Sequence, residues 1–137
     1  MTDAVVDVAA GILCRHGRVL VCQRSFSGRH PGKFEFPGGK REGLETLEQC
    51  LRRELHEELG VVVEVGELLW TAEHQYSATP KVKLSFFAAR QLQGEIVNRV
   101  FASVCWVEVD QLPTLDFLEA DRELIDRLVD GSIRLPE

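Results

Sequence analysis

A glycine loop that runs into a cluster of carboxylates is the part of this chain whose residues could do chemistry. The segment FPGGKREGLETLEQCLRRELHEELGV places Gly38 and Gly39 ahead of Glu54, Glu57 and Glu58. Residues three and four apart share one face of a helix, so these glutamates are expected to project together. The apolar residues of the same segment fall on another face, which would pack on a core: Leu47, Cys50, Leu51 and Leu55.

Carboxylates this close together repel one another. Two of them about 5 Å apart cost roughly 1 kcal/mol in water and roughly 3 kcal/mol at an effective dielectric constant of about 20. A bound cation would offset that repulsion, and oxygen ligands alone suit Mg²⁺ or Mn²⁺ rather than zinc. The loop and the acids therefore predict a divalent cation and a polyphosphate held side by side.

The spacing of these residues resembles the Nudix box. A solvated acidic helix face, the structural alternative, would not require Gly38, Gly39 and Arg53 at their offsets. Weaker resemblance to MutT-like nucleotide pyrophosphohydrolases extends over most of the remaining chain. All the fixed positions of the box are filled, by Gly39, Glu45, Arg53, Glu54, Glu57, Glu58 and Gly60.

The resemblance implies roles for the acids of the box. Glu54, Glu57 and Glu58 would be metal ligands and, together with Arg53, the catalytic residues. The Gly38 carbonyl would be a further ligand. Arg53 would orient a glutamate through charge-assisted hydrogen bonds rather than touch the substrate. The implied cofactor is Mg²⁺, with Mn²⁺ as an alternative.

Three residues belong to the loop and the phosphate site of the box. Glu45 would brace the loop against the helix, and Gly39 lies in that loop. Lys40 would meet a phosphate or would be a solvated lysine. By resemblance, water attacks an internal phosphorus and releases a nucleoside monophosphate and pyrophosphate.

One position departs from the family pattern. MutT-like enzymes often carry another glutamate in the loop before the tryptophan of a late strand. Alignment on Trp106 places Val100 at that position, and Glu95 comes too early. The acids of the box are therefore expected to supply the chemistry without an additional base or second metal site from that loop.

Three residues outside the box itself are expected to contact the base of a nucleotide. Arg24 matches an arginine that reads a purine in MutT-like enzymes, the alternative being a strand-end arginine in water. Phe36 would pack beside the base or in the core. Asp121 would meet the base edge or start a helix. Arg29 stands where MutT places a histidine, so strict preference for 8-oxoguanine is not implied.

The implied function is metal-dependent hydrolysis of a nucleoside triphosphate in nucleotide-pool sanitation, with 8-oxo-dGTP or a CTP-like substrate. Other Nudix activities compete. Enzymes of coenzyme A have an upstream pattern that Arg24, Arg29 and Gly32 nearly match, and dinucleoside polyphosphate hydrolases place a tyrosine after the box, where Tyr76 lies. Nudix domains that sense nucleotides without cleaving them usually lose box carboxylates, which this chain keeps.

Composition limits the partners. A length of 137 residues suits a single domain spanning 1–137. The net charge of −6 argues against binding a nucleic-acid polymer, and no stretch is long enough to span a membrane. A small nucleotide is the expected partner of a monomer or homodimer. Basic residues before the helix form either a positive rim around the phosphate entry or scattered solvated charges: Arg24, Arg29, His30, Lys33, Lys40 and Arg41.

The cysteines indicate the compartment. Cys14, Cys22, Cys50 and Cys105 lie in apolar segments without a C-x-x-C pair, so they predict buried thiols. A reducing cytosol suits such residues, and the expected location is cytoplasmic.

Hydrophobic patterns predict a mixed sheet flanked by two helices. The box helix should begin after Thr46 and end at Gly60. This arrangement agrees with the α/β/α sandwich that the Nudix resemblance implies. Strands are expected over 5–14, 19–23, 61–69, 81–90 and 104–109, with 72–77 as a further candidate, and a second helix over 115–130.

Overall fold

The computed structural model describes residues 5–76 and 79–136 of the chain. Four strands precede the first α-helix, and three strands and two short 3-10 turns separate it from the second. The strands are β1 (Val5–Arg15), β2 (Arg18–Gln23), β3 (Phe34–Glu35), β4 (Gly38–Lys40), β5 (Val62–His74), β6 (Lys81–Gln93) and β7 (Ser103–Glu108). The helices are α1 (Leu47–Leu59) and α2 (Arg122–Val129), and the 3-10 turns are Val109–Thr114 and Glu119–Asp121.

Strand β1 links the two halves of the sheet. It runs parallel to β6, which pairs antiparallel with β5, and it pairs antiparallel with the short β4. The last residues of β1 pair with β2, which in turn pairs antiparallel with β3 and β7. The sheet is therefore mixed, as the sequence predicted.

Helices cover the sheet on both faces. Alternate residues of a strand point to opposite faces. Strand β1 accordingly contributes Ala9 and Leu13 to the core cluster that contains the buried residues of α1, and Ala10 and Ile12 to the cluster that contains those of α2. The predicted α/β/α sandwich is confirmed.

Helix α1 begins and ends where its capping residues predict. The Thr46 hydroxyl accepts a hydrogen bond from the Gln49 amide, and the Gln49 side chain accepts one from the Thr46 amide. Gly60 ends the helix in the left-handed conformation with a φ of 69°, which glycine adopts without steric cost. The face that packs on the sheet buries Cys50, Leu51, Leu55 and Leu59.

The second predicted helix is α-helical only from Arg122 onward, after a single 3-10 turn, so the prediction of its start was wrong. The Phe34 amide donates to the Asp116 carbonyl over 2.9 Å, and the Leu118 amide donates to the Phe34 carbonyl over 3.0 Å. These bonds tie the segment before α2 to β3, because tertiary contacts override the local preference for helix. Asp121 consequently stands in the turn before α2 rather than within a long helix.

Strand β5 is continuous where the sequence predicted two separate strands. It pairs with β6 along its length, with shifts of register on either side of Leu68. Bulges of this kind absorb extra residues without ending a strand, so they break the alternation that the prediction used. Ser77, the last residue of the second predicted strand, lies outside the described residues.

The prediction of buried cysteines was wrong for two positions. Cys22 and Cys50 are buried, whereas Cys14 is half-buried and Cys105 is exposed. Cys105 alternates along β7 with residues that pack on the α1 cluster, and alternation points its own side chain the other way. Among the helices of the described residues, none has the length and apolar character needed to cross a bilayer.

The cap of α1 gives a prediction about stability. Thr46→Ala removes the hydroxyl that satisfies the Gln49 amide, and should lower the free energy of unfolding by about 1 kcal/mol. Thr46→Ser keeps the acceptor and should lie close to wild type. Urea denaturation of the three proteins checks this, and equal midpoints for Thr46→Ala and wild type would contradict it.

Candidate active site

A cavity of about 360 Å³ lies where β1, β4 and β6 meet the loop before β3 and the turn before α2. Its apolar wall consists of Val6, Val8, Ala10, Phe36, Val82 and Leu84. Two groups of residues line it with polar side chains or backbone. We call them the box side (Gly38, Gly39, Lys40 and Glu58) and the Asp121 side (Tyr76, Ala120 and Asp121), and Arg24 and Glu35 also line the cavity.

The glycines of the box side let three elements approach one another closely. In the pairing of β4 with β1, Gly38 lies opposite Ala10 and Gly39 opposite Ala9. A side-chain carbon at position 38 would lie 2.0 Å from the Ala9 carbonyl oxygen, and one at position 39 would lie 2.3 Å from the carboxyl carbon of Glu54. Larger residues at either position would push the loop away from β1 or from α1.

Arg53 lies behind the loop and connects it to the acids of α1. Its guanidinium donates to both carboxylate oxygens of Glu45, over 2.6 and 3.0 Å, and to Glu54 over 2.9 Å. It also donates to the Lys40 carbonyl over 3.1 Å, and reaches Glu57 at 3.5 Å. One side chain therefore fixes the loop, the start of the helix and two acids in one arrangement.

Glu45 fastens the loop to this network. Besides its two bonds from Arg53, it accepts a hydrogen bond from the Glu42 amide over 2.8 Å. The hydrogen bond from Arg53 holds the pKa of Glu45 down at about 2, well below its ordinary value. The carboxylate thus stays ionised and paired across the pH range in which the protein would work.

Glu58 is half-buried, and one of its two carboxyl oxygens lacks a hydrogen-bond partner in the described part of the chain. Its Oε1 atom is buried and has no hydrogen-bond partner among the described residues. Burial, and then the nearby charges of Glu54 and Glu35, raise the pKa of Glu58 to about 8. A group of this kind is costly unless a ligand satisfies it, so the box side is built to receive a positive charge or a proton.

The three box glutamates differ in their surroundings. Glu54 is mostly buried, with 16% of its side chain exposed, whereas Glu57 is 59% exposed. Burial is also the main cause that raises the pKa of Glu54. Among the described residues, no three acidic, histidine or cysteine side chains already form a metal-holding cluster. Burial, and then charges that include those of Glu54 and Glu57, raise the pKa of Glu58, so the three glutamates lie near one another on α1. Their joint role as metal ligands stays a prediction.

Asp121 is the second buried acid without compensation. Only 2% of the residue is exposed, and its Oδ2 atom has no hydrogen-bond partner among the described residues. Burial, and then the charge of Glu35, raise its pKa well above the ordinary value. Its side chain makes no capping hydrogen bond to α2, which leaves the helix-start alternative without its usual contact.

Arg24 and Phe36 form parts of the wall between the two polar groups. Arg24 donates to the carboxylate of Glu35 over 3.1 and 3.2 Å, and to the Arg29 carbonyl over 2.9 Å. The ring of Phe36 is buried and packs on Phe117, with 5.2 Å between ring centroids. Phe36 is thus a core aromatic that also lines the cavity, and Arg24 is held by an ion pair rather than solvated.

A known family accounts for nearly the full length of this chain: a NUDIX domain model matches residues 5–128. The chain belongs to the Nudix family. The 8-oxo-dGTP diphosphatase of Haemophilus influenzae is 35% identical over 130 residues, which cover 94% of this chain and 95% of that protein. The CTP pyrophosphohydrolase of Escherichia coli is 30% identical over 123 residues, which cover 89% and 90%.

A solved structure shares the fold. The MutT NUDIX hydrolase from Burkholderia pseudomallei superposes with a TM-score of 0.80 at 26% identity, over 92% of this chain and 99% of that one. The resemblance to the Nudix family and its MutT-like branch is therefore confirmed. The protein is a Nudix hydrolase, an enzyme of phosphoanhydride bonds.

The donor set of this Nudix site fits a divalent cation. Nudix hydrolases depend on divalent metals. Magnesium is usually held by one or two protein carboxylates together with substrate phosphates and water, rather than by a closed cage of side chains. The unpartnered Oε1 of Glu58 and the neighbouring Glu54 supply oxygen ligands of that kind. A complete cluster of three acids is not needed before the nucleotide binds.

The loop before Trp106 braces α1 instead of adding an acid. The Arg99 amide donates to the Glu58 carbonyl over 3.1 Å, and its guanidinium donates to the His56 carbonyl over 3.2 Å. Val100 is exposed, and Glu95 does not line the cavity. The departure from the usual Nudix pattern thus places a basic residue at the carboxyl end of α1, where the helix dipole favours it.

The predicted positive rim is only partly present. Four of the six basic residues line the cavity, whereas Lys33 pairs with Asp116 over 2.8 Å and Arg41 pairs with Asp7 over 3.3 Å. These two pairs lie on the outer surface and hold the loop ends in place. The four that line it are Arg24, Arg29, His30 and Lys40.

Sequence reasoning missed Glu35 and the role of Tyr76 in the cavity. Glu35 lies between two phenylalanines in an alternating strand, so the pattern suggests a solvent-facing residue. Tyr76 was noted only for its position after the Nudix box. The one available signal for Glu35 was an acid flanked by residues expected to be buried, and it does not distinguish a surface position from a pocket.

The raised pKa of Glu58 gives a pH prediction for the metal-free protein. Between the unfolded value of 4.5 and about 8, the folded protein holds a proton that the unfolded chain has released. Stability without metal should therefore fall as the pH rises through this window. Glu58→Gln should flatten that fall and be the more stable protein at pH 8, as urea denaturation in EDTA would show.

An exposed acid provides the control for this measurement. Glu67 lies on the surface of β5, so Glu67→Gln should keep the pH dependence of stability that wild type shows. Parallel curves for wild type and Glu58→Gln between pH 5 and pH 8 would contradict the account of Glu58.

Proposed function

We propose that this Nudix enzyme hydrolyses a nucleoside triphosphate to the monophosphate and pyrophosphate, with Mg²⁺ as cofactor and Mn²⁺ able to replace it. One observation carries the proposal. A single cavity is lined by Glu58, whose buried Oε1 atom has no hydrogen-bond partner among the described residues, and by Asp121, whose Oδ2 atom also has none. The first suits a metal bound to phosphates, and the second suits the hydrogen-bond donors of a base.

The residues of the box have two roles, binding of the cation and orientation of its ligands. Glu54 and Glu58 hold the cation with the Gly38 carbonyl, and Glu57 completes the set from the exposed side. A bound Mg²⁺ supplies charge neutralisation and acidifies a water. Arg53 keeps Glu54 oriented through its hydrogen bond of 2.9 Å. Hydrolysis of a phosphoanhydride requires mainly such positioning, with little covalent help from the protein.

The phosphates and the base are bound on opposite parts of the cavity. Lys40 and the backbone at Gly39 meet the phosphates. On the Asp121 side, a carboxylate accepts hydrogen bonds from ring and exocyclic N–H groups such as those of a guanine edge. Arg24, fixed by Glu35, and the rim of Phe36 form the walls that border the base.

Oxidised guanine nucleotides are the substrates we favour, and CTP is the second candidate. Both come from relatives: one is named an 8-oxo-dGTP diphosphatase and the other a CTP pyrophosphohydrolase. A cavity of about 360 Å³ lies within the range of small-molecule sites and suits the base and sugar of one nucleotide. This supports a single nucleotide over a dinucleoside polyphosphate or coenzyme A.

The setting of this activity is part of the proposal. Removal of damaged triphosphates is a housekeeping task of the cytoplasm, and the buried thiols Cys22 and Cys50 suit a reducing compartment. The enzyme acts as a monomer or homodimer on a small nucleotide, without a nucleic-acid polymer or membrane as partner. The complete set of box carboxylates supports catalysis over nucleotide sensing.

Hydrolysis in ¹⁸O-labelled water tests the proposed reaction. Wild type with Mg²⁺ should release pyrophosphate and a monophosphate from 8-oxo-dGTP, dGTP or dCTP. Glu57→Gln should lower kcat by at least ~10²-fold, because it removes a ligand of the ion that stabilises charge in the transition state. Mass spectrometry of the products gives the position of the label.

The control is Glu67→Gln, which changes another exposed acid away from this cavity and should leave kcat unchanged. Orthophosphate as the sole inorganic product would reject cleavage at the inner bridge. Turnover near that of wild type in Glu57→Gln would reject the assignment of the box acids.

A further inference from the structure

Tyr76 is the single tyrosine of the chain and lines the cavity on the Asp121 side. Its hydroxyl oxygen accepts a hydrogen bond from the Ala120 amide over 3.2 Å. Ala120 directly precedes Asp121, so the phenol is anchored next to the residue whose Oδ2 atom has no hydrogen-bond partner among the described residues. Burial raises the pKa of the Tyr76 phenol, and the charge of nearby Asp121 raises it further.

The ring of Tyr76 is held by two imidazoles. The His74 ring lies 4.3 Å from it at an angle of 60°, and the His30 ring lies 4.7 Å from it at 55°. These contacts come from the end of β5 and from the loop before β3. These two contacts hold the ring in place, and the hydroxyl at its end is the polar group that Tyr76 contributes to the cavity.

The hydroxyl group has a defined polarity. A phenol is both a donor and an acceptor, and the Tyr76 oxygen already accepts from the Ala120 amide. Its O–H group is therefore left to donate. The carboxyl group of Asp121 accepts in either protonation state, since a protonated acid keeps one acceptor oxygen. The two side chains thus present a donor and an acceptor next to each other.

The matching ligand carries the opposite pair: a carbonyl oxygen beside a ring N–H. This lactam edge occurs in guanine, hypoxanthine and uracil, and oxidation of guanine at C8 leaves it intact. Adenine and cytosine present an amino group beside an unprotonated ring nitrogen, so the group that would face the phenol is a donor. A donor facing a donor leaves both unpaired, which costs more than a missing contact.

We propose that Tyr76 is a specificity-determining residue, whose O–H donates to the carbonyl oxygen of a lactam-bearing base while Asp121 accepts from the adjacent ring N–H. The proposal rests on the proposed binding of a nucleotide in this cavity. It narrows the substrate class to triphosphates of keto bases and makes amino bases such as cytosine the poorer substrates.

The variant Tyr76→Phe tests this, because it removes only the hydroxyl and keeps the ring between His30 and His74. With dGTP, dITP and dUTP, kcat/KM should fall about 3- to 10-fold, the effect of losing one neutral hydrogen bond. With dATP and dCTP it should change less than about twofold. The dITP arm isolates the lactam edge, since that base lacks the amino group of guanine.

A purely structural role would give a different result. If the hydroxyl served only to hold the Ala120 amide, all five substrates would lose the same factor, and that outcome would overturn the proposal. A wild-type preference for dCTP over dGTP would overturn it as well, while leaving triphosphate hydrolysis intact. If wild type hydrolysed no triphosphate, the proposed function would fail and this inference with it.

A second readout is independent of turnover. Because the chain contains one tyrosine, ¹³Cζ-labelled tyrosine gives a single NMR signal that needs no assignment. In metal-free buffer, saturating dGMP and dIMP should shift this signal, and dCMP at saturation should shift it less. An unmoved signal in the presence of bound dGMP, with binding verified by calorimetry, would overturn the donation.

Discussion

The arrangement of this site depends on one guanidinium group among acids. Arg53 makes a two-bond pair with Glu45 and further bonds to Glu54 and to the Lys40 carbonyl. Planar guanidinium matches carboxylate geometry and is always charged, so it holds several acceptors at fixed angles. Without it, mutual repulsion would separate the acids of α1 from one another and from the loop. The close fit of Gly39 against Glu54 has the same origin.

Two other acids are left without such a partner, and they mark where the ligand belongs. Glu58 and Asp121 each have one buried oxygen without a hydrogen-bond partner in the described part of the chain, and burial raises the pKa of both groups. The charge of Glu35 contributes to the raised pKa of both Glu58 and Asp121. Glu35 itself forms an ion pair with Arg24. Perturbed groups that gather in one cavity are a feature of functional sites. Their burial costs stability, and a cation or a base bound at these oxygens would offset that cost.

The sequence was sufficient for the parts that local rules control. The box spacing, the Thr46 cap and the Gly60 end of α1 follow from neighbours within a few residues, and the mixed sheet follows from hydrophobic patterns. The turn before α2 could not be predicted, because its conformation depends on bonds to Phe34, which is distant in the sequence. The bulged strand β5 breaks the alternation on which strand prediction depends.

Site residues outside the box were harder to predict for the same reason. Asp121 was reached through family resemblance, and its burial depends on how the turn packs on β3. Glu35 and Tyr76 come from segments on either side of the box, and only the folded chain brings them to one cavity. The position of Glu35 depends on its bond with Arg24, and that of Tyr76 on its bond with the Ala120 amide. No local sequence pattern indicates either contact.

The central claim, that Arg53 acts by holding the acids and the loop together rather than by its charge alone, is tested most directly by kcat of Arg53→Lys. Lysine keeps the positive charge but cannot bond Glu45, Glu54 and the Lys40 carbonyl at once. With the folded state verified by circular dichroism, the account predicts a loss in kcat of about 10²-fold, the effect of misplacing reacting groups by about 1 Å. A kcat for Arg53→Lys equal to that of wild type would contradict it.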